Sequence, residues 1–221
     1  MLDRLIYGGS FDPPHRSHMA VARKVLVSDV ARRVDFVPAA VSPFKMDARP
    51  VASELRLAML EAARNDPWIG YHPELVEDTR IVDLELRRPP PSYTVDTCRA
   101  LREEFPGQRI GLLMGSDTLI GLQKWKNVDE ILRHHEIVIY MRKGDDARFD
   151  AALTDLRSRF PEANFRRLDA NLLAWSSTEI REAAARAWSR GEEPTRDDLG
   201  DCVADGVLEL IRRHELYKRK D

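Results

Sequence analysis

The chain reads as an α/β protein: a Rossmann-like parallel sheet with helices on both faces and a small C-terminal helical lobe. Two observations predict this class. Short apolar runs alternate with stretches of helical periodicity along most of the 221 residues, the pattern that βαβ units produce. After Trp175 the pattern becomes helical. A hydrophobic content of 43% can fill one sizeable core at this length, and 33% charged residues supply its surface. The expected division is a nucleotide-binding core over 1–175 and a helical subdomain over 176–221, packed together as one unit.

The strands come first. Leu2–Tyr7, Arg33–Pro38, Ile110–Met114, Glu136–Met141 and Asn164–Leu168 are short runs rich in branched and aromatic residues. Ile81–Leu86 alternates apolar and acidic residues and reads as a further strand, at an edge. Helical spacing of apolar positions marks Ser17–Ser28, Ser53–Asn65, Val95–Glu104, Asp129–Arg133 and Ala147–Phe160, then Thr178–Arg190 and Val203–His214. Pro38–Val51 lacks periodicity and holds three prolines, so it reads as a loop, and Pro89-Pro90-Pro91 marks a turn. The tail Lys218–Asp221 is expected to fray.

Composition narrows the function classes. A net charge of −2 argues against general nucleic-acid affinity, which normally needs a basic surplus. No run approaches the roughly 20 apolar residues that span a bilayer, and no signal-peptide pattern opens the chain. Cys98 and Cys202 form neither a metal cluster nor a disulfide framework, so a reducing cytoplasm is the expected compartment. The C-terminal helices could pack internally or against another subunit, which leaves a homo-oligomer open.

The richest stretch is Gly8-Gly9-Ser10-Phe11-Asp12-Pro13-Pro14-His15-Arg16-Ser17-His18, set between the first strand and the first helix. Two glycines allow close backbone approach and unusual dihedrals. A helix N-terminus offers unpaired N–H groups and a positive dipole end, both suited to phosphate. His15 and His18 lie three apart, on one face of the first turn. They could ligate a metal, but no third ligand stands at zinc-site spacing; they could also be structural. With Arg16 they crowd positive charge onto a helix start, which opposes the dipole unless an anion binds there. A triphosphate would supply that anion.

Trp175-Ser176-Ser177-Thr178-Glu179-Ile180-Arg181 is the second motif. Ser176 with Glu179 fits a capping box. Three successive hydroxyls and Arg181, a cation in a first helical turn, also fit a clamp on phosphate oxygens. In Ser42-Pro43-Phe44-Lys45, Lys45 either reaches a phosphate as a point charge or is simply solvated. The last group is Ser92-Tyr93-Thr94 with Gly115-Ser116-Asp117 and Lys124-Trp125-Lys126. Asp117 could accept ribose hydroxyls or cap the following helix, and Trp125 could stack on an aromatic ring or pack the core. In open parallel sheets ligands sit beyond the carboxyl ends of the strands, and three of these motifs follow strands onto that one rim.

Together the motifs resemble the bacterial nicotinate-nucleotide adenylyltransferase family of the nucleotidylyltransferase superfamily. Gly8–His15 is similar to its N-terminal signature and Ser176–Arg181 to its C-terminal one. Ser92–Thr97, Met114–Asp117 and Lys124-Trp125 resemble its mononucleotide-side motifs, and His214–Tyr217 its usual ending. The resemblance implies adenylyl transfer from ATP to nicotinate mononucleotide, with Mg²⁺, giving deamido-NAD and pyrophosphate by in-line attack without a covalent intermediate. It implies that His15, His18, Lys45 and Arg181 serve catalysis. It places Gly8, Gly9, Ser10, Phe11, Ser176, Ser177, Thr178 and Ile180 around ATP, with Ile180 near the adenine. Ser92, Tyr93, Thr94, Gly115, Asp117 and Trp125 would meet the mononucleotide. The chain departs from the family pattern at Ser17, where glycine is usual, at Phe44, where histidine is common, and at Glu182-Ala183-Ala184-Ala185, where the family is more basic. These departures keep two alternatives in view: a related nucleotidyltransferase with another phosphorylated acceptor, and a nucleotide-binding protein without turnover.

Overall fold

The computed structural model describes residues 1–40, 50–66, 76–142, 146–170 and 175–219. Among these residues six strands form one all-parallel sheet: β1 (Arg4–Gly9), β2 (Val34–Pro38), β3 (Thr79–Ile81), β4 (Ile110–Gly115), β5 (Ile137–Tyr140) and β6 (Phe165–Leu168). Their order is β3-β2-β1-β4-β5-β6, so the winding reverses between β1 and β4. A parallel doubly wound sheet opens a crevice at that reversal, beyond the carboxyl ends of the two strands.

The central strands β2, β1, β4 and β5 are buried on both faces, and their residues alternate between two cores. Leu5 and Tyr7, Val34 and Phe36, and Val138 and Tyr140 enter one cluster; Ile6, Val37, Leu112, Met114, Ile137 and Ile139 enter the other. The first cluster is covered by α1 (Arg16–Val27), α2 (Ser53–Arg64) and the C-terminal helices α7 (Ser177–Ser189), α8 (Arg196–Leu199) and α9 (Asp205–Arg213). The second is covered by α3 (Thr94–Glu104), α4 (Ser116–Ile120), α5 (Val128–His134) and α6 (Asp146–Arg159). Ala183 and Ala184 lie on the buried face of α7. Their small side chains let that helix lie close to the core, so the alanines that replace a basic stretch serve packing.

Five strands and seven helices lie within two residues of where the sequence pattern puts them. The sixth strand does not. Pairing with β2 ends at Ile81, and residues 84–87 form a turn rather than the expected strand over Ile81–Leu86. The alternation there has another cause: Leu84 packs on the second core, and Glu85 is drawn inward to accept a hydrogen bond from Thr97 Oγ1 at 2.6 Å. The short helices α4 and α8 carry too few residues for a periodic pattern. Ser42–Lys45 falls outside the described residues, as do the last two positions of the tail.

Candidate active site

The expected glycine effect is displaced by two residues. Gly8 and Gly9 are the last residues of β1 and pair with Val37 and Pro38 of β2. The left-handed backbone falls instead on Phe11, with φ 47°, and Asp12-Pro13 is a cis peptide. What the glycines supply is room. A Cβ on Gly8 would point into open space above the sheet edge, and one on Gly9 would crowd the Phe11 ring at 3.0 Å.

The start of α1 is also less open than the pattern suggests. Two of its first three amides are engaged: Arg16 N–H donates to the Cys202 carbonyl at 2.7 Å and His18 N–H to the His15 carbonyl at 2.9 Å. Arg16 faces inward, with Nε 3.1 Å from Asp66 and Nη1 2.5 Å from Asp201, so its charge is neutralised. Ser17 is buried in the same turn. The crowd of positive charge predicted there does not exist.

The histidines are neutral as well. His15 is 2% exposed, and neither ring nitrogen has a hydrogen-bond partner among the described residues. Burial pushes its pKa down to about 3, and the charge of Arg142 adds to the effect. His18 is held well below its ordinary value by burial, then by His15 and Arg142. The rings lie 3.8 Å apart between centroids. His18 Nδ1 accepts the His15 backbone N–H at 3.1 Å, which places the single proton of the neutral ring on Nε2. His18 is therefore a neutral donor on the wall of the cleft.

The C-terminal motif closes over this turn. Ser176 caps α7 through a reciprocal box: its Oγ accepts from Glu179 N–H at 3.3 Å, and its own N–H donates to Glu179 at 2.7 Å. Ser177 Oγ donates to the Pro13 carbonyl at 2.9 Å, and Arg181 Nη1 to the Asp12 carbonyl at 2.7 Å. Arg181 Nη2 donates to Thr178 Oγ1 at 3.1 Å. From the chain's end, Tyr217 Oη donates to Asp12 Oδ1 at 2.7 Å. Both motifs thus meet at Asp12-Pro13. Ile180 is fully buried in the first core.

Two cavities adjoin at the crevice. One, of about 440 Å³, is lined by Gly8–Asp12, His18, Ser176–Thr178 and Arg181. The other, of about 730 Å³, is lined by Ser92–Thr94, Gly115, Asp117 and Trp125. They share a wall that includes Tyr7, Gly8, Gly9, Ser10, Asp117 and Tyr140. Asp117 does not cap α4; its Oδ2 pairs with Arg142 Nη1 at 3.2 Å. Trp125 packs on the second core, one of its two open readings, and also lines the larger cavity. Lys126 lies over the Tyr93 ring at 4.2 Å.

Several site residues escaped the sequence reading. Arg56 is 1% exposed and donates to the carbonyls of Val51, Ser10 and Ala39, pinning the turn after β1 to the start of the next loop. Its signal was present: it shares the buried stripe of α2 with Met59, Leu60 and Ala63, where a cation is anomalous. Arg142 follows β5 onto the rim, where position alone marks it. Burial disfavours its charge, and Tyr140 and Asp117 more than compensate. Glu85 lines the larger cavity, and burial raises its pKa against hydroxyls of Thr97 and Ser92.

Among the described residues no three His, Cys, Asp or Glu side chains converge on a metal position, and no helix is long and apolar enough to cross a membrane. The cytidylyltransferase-like family model matches residues 6–183. A protein of Symbiobacterium thermophilum named probable nicotinate-nucleotide adenylyltransferase is 32% identical over 97% of this chain and 94% of its own length. One of the same name from Chlorobium phaeobacteroides is 32% identical over 96% and 98%. In fold, the chain is similar to the nicotinic acid mononucleotide adenylyltransferase of Plasmodium falciparum complexed with NaAD, with a TM-score of 0.76 at 19% identity over 98% of both chains. Sequence, motif order and sheet topology agree: the chain belongs to the nicotinate-nucleotide adenylyltransferase family, within the cytidylyltransferase-like proteins.

Proposed function

We propose that this protein transfers the adenylyl group of ATP to nicotinate mononucleotide, releasing pyrophosphate and forming deamido-NAD. The observation that carries the reading is the pair of adjoining cavities with a common wall at the β1/β4 reversal. Two substrates seated side by side there bring a nucleophilic phosphate and the α-phosphorus of ATP together, and such positioning is a large part of the catalysis of a bimolecular transfer.

In this reading the smaller cavity takes ATP. Gly8, Gly9, Ser10 and Phe11 line its phosphate turn, and His18 Nε2–H donates to the oxygens that gain charge during transfer. His15, buried behind His18, acts with it. Ser176, Ser177, Thr178 and Arg181 hold the phosphates from the opposite side, and Ile180 contributes through its place in α7. Lys45, by family resemblance, adds a point charge. In the larger cavity Asp117 accepts the ribose hydroxyls, Trp125 stacks on the pyridine, and Ser92, Tyr93 and Thr94 meet its carboxylate beside the start of α3, with Gly115 leaving room. The mononucleotide phosphate attacks in line and pyrophosphate leaves without a covalent enzyme intermediate. The donors present suit Mg²⁺ carried on the ATP phosphates, where it would neutralise their charge, rather than a cation held by a protein cage.

The core over 1–175 and the lobe over 176–221 act as one unit in this reading, because Asp12 receives contacts from both Arg181 and Tyr217. Cytoplasmic placement suits the two free cysteines. The deciding assay is pyrophosphate release from ATP with nicotinate mononucleotide beside the amide form and other phosphorylated acceptors. Nicotinate mononucleotide should be the best acceptor by a wide margin; equal rates with the amide form would sink the acid selectivity, and a better acceptor would replace the substrate.

A further inference from the structure

The wall shared by the two cavities contains a feature that the motifs do not include. Tyr7 on β1 and Tyr140 on β5 flank β4 and both face the first core. They meet across the strand between them because Gly115, the β4 residue in register with Tyr140, has no side chain on that face; a Cβ there would stand 3.3 Å from the Tyr140 ring. The two hydroxyls are 3.2 Å apart, with Tyr7 donating to Tyr140, and both tyrosines line both cavities.

Counting protons fixes what the pair can do. Arg142 lies on the same rim, paired with Asp117 at 3.2 Å, and its positive charge acts on Tyr140. The Tyr140 oxygen accepts from Tyr7. Two hydroxyls joined by one bond have one proton left over, and with Tyr7 as the donor that proton is on Tyr140. Donation from a second hydroxyl polarises the remaining O–H and strengthens it as a donor, and the nearby charge of Arg142 acts in the same direction. Tyr140 lines the wall that both cavities share, beside which the phosphate is transferred in the proposed reading.

We infer that the Tyr140 hydroxyl is a further catalytic group, donating a hydrogen bond to an oxygen of the phosphate transferred between the cavities, with Tyr7 as the positioning residue that holds it. The donor is neutral and stays protonated: burial raises the pKa of both tyrosines, and the coupling between them raises that of Tyr7 further. It balances charge that develops on oxygen without adding a permanent charge to a buried wall, and no proton leaves the enzyme.

This inference rests on the adenylyl-transfer reading, and one set of assays separates the two. Pyrophosphate release by the unsubstituted protein tests the reading; a protein without turnover refutes both. Given turnover, Tyr140→Phe should lower kcat about tenfold to a hundredfold, as for a lost hydrogen bond to a charged group, with KM for ATP and for the mononucleotide within about threefold. Tyr7→Phe should lower kcat by less, because Tyr140 keeps its proton and the charge of Arg142 beside it. A purely structural pair would instead lower the thermal midpoint and raise both KM values with kcat retained. A Tyr140→Phe enzyme whose kcat stays within twofold overturns the inference. So does a Tyr7→Phe enzyme that loses more than tenfold, since the free proton would then belong to Tyr7; that variant decides the question alone if Tyr140→Phe does not fold.

Discussion

His15 makes acid sensitivity a property of this fold, and its size follows from the structure. The ring is buried and neutral, with a pKa of about 3 against an ordinary 6.5. An unfolded imidazole gains its proton as pH falls through 6.5, and the folded one resists until about 3, so stability is whole above the first value and drains away between the two. At pH 5 the unfolded ring is roughly 97% protonated and the folded ring roughly 1%, a difference of about 2 kcal/mol lost from His15 alone. At pH 7.5 the same group contributes nearly nothing. Urea unfolding at pH 7.5 and at pH 5 should therefore show a larger loss for the unsubstituted protein than for His15→Phe, by about 2 kcal/mol. Phenylalanine retains a ring against His18 and removes both unpaired nitrogens. Equal losses in the two proteins would refute the argument, because they would mean that the buried imidazole is charged or its site hydrated.

Two further outcomes follow from the geometry of the cleft. His18→Ala removes the neutral Nε2–H donor and should lower kcat on the order of 10²–10³-fold with the unfolding midpoint little changed, measured by initial rates beside thermal melting; near-full activity would remove His18 from the reaction. Gly115→Ala drives a Cβ against Asp117 Oδ1 while the backbone, at φ −76°, accepts alanine. The carboxylate must swing away, so KM for the mononucleotide should rise about tenfold or more with the fold retained, as one lost charged hydrogen bond predicts, and an unchanged KM would separate Asp117 from that substrate.

Sequence patterning found what depends on local periodicity. Strands buried on both faces carry continuous apolar runs, and amphipathic helices carry a 3.6-residue stripe, so both stand out in one dimension. It failed where a residue's environment is set by distant chain. Nothing near Arg16 announces that Asp66 and Asp201 neutralise it, and nothing near His15 says that it lies in the interior. Local rules therefore assigned charge to a turn that has none. The Ile81–Leu86 alternation misled in another way, since inward-facing Glu85 is satisfied by a hydroxyl of α3 and not by a strand ladder. The rim was legible because strand ends must project to it. The Tyr7–Tyr140 pair was not, because pairing two core-like tyrosines requires the β1-β4-β5 order, which only tertiary structure supplies.

The residues that should make the site work are those that strain the fold most. A chain selected only for stability would not bury an imidazole with two unpaired nitrogens, or set Phe11 at φ 47°. The buried imidazole is unfavourable without a ligand, and an anion beside it offsets that cost. Phosphate oxygens would accept from His18 and the tyrosine hydroxyl, and negative charge beside His15 would raise its depressed pKa toward the ordinary value. A permanently cationic cleft would bind anions of any shape, and would bind the product as well as the reactants. A desolvated wall that sets neutral donors among a few fixed cations instead rewards a ligand for the oxygens it places within reach of particular donors, and most of all as charge builds on them. The one permanent cation of the first motif, Arg16, is committed to acids elsewhere, while neutral His18 faces the cleft and Arg181 and Arg142 supply its fixed charge.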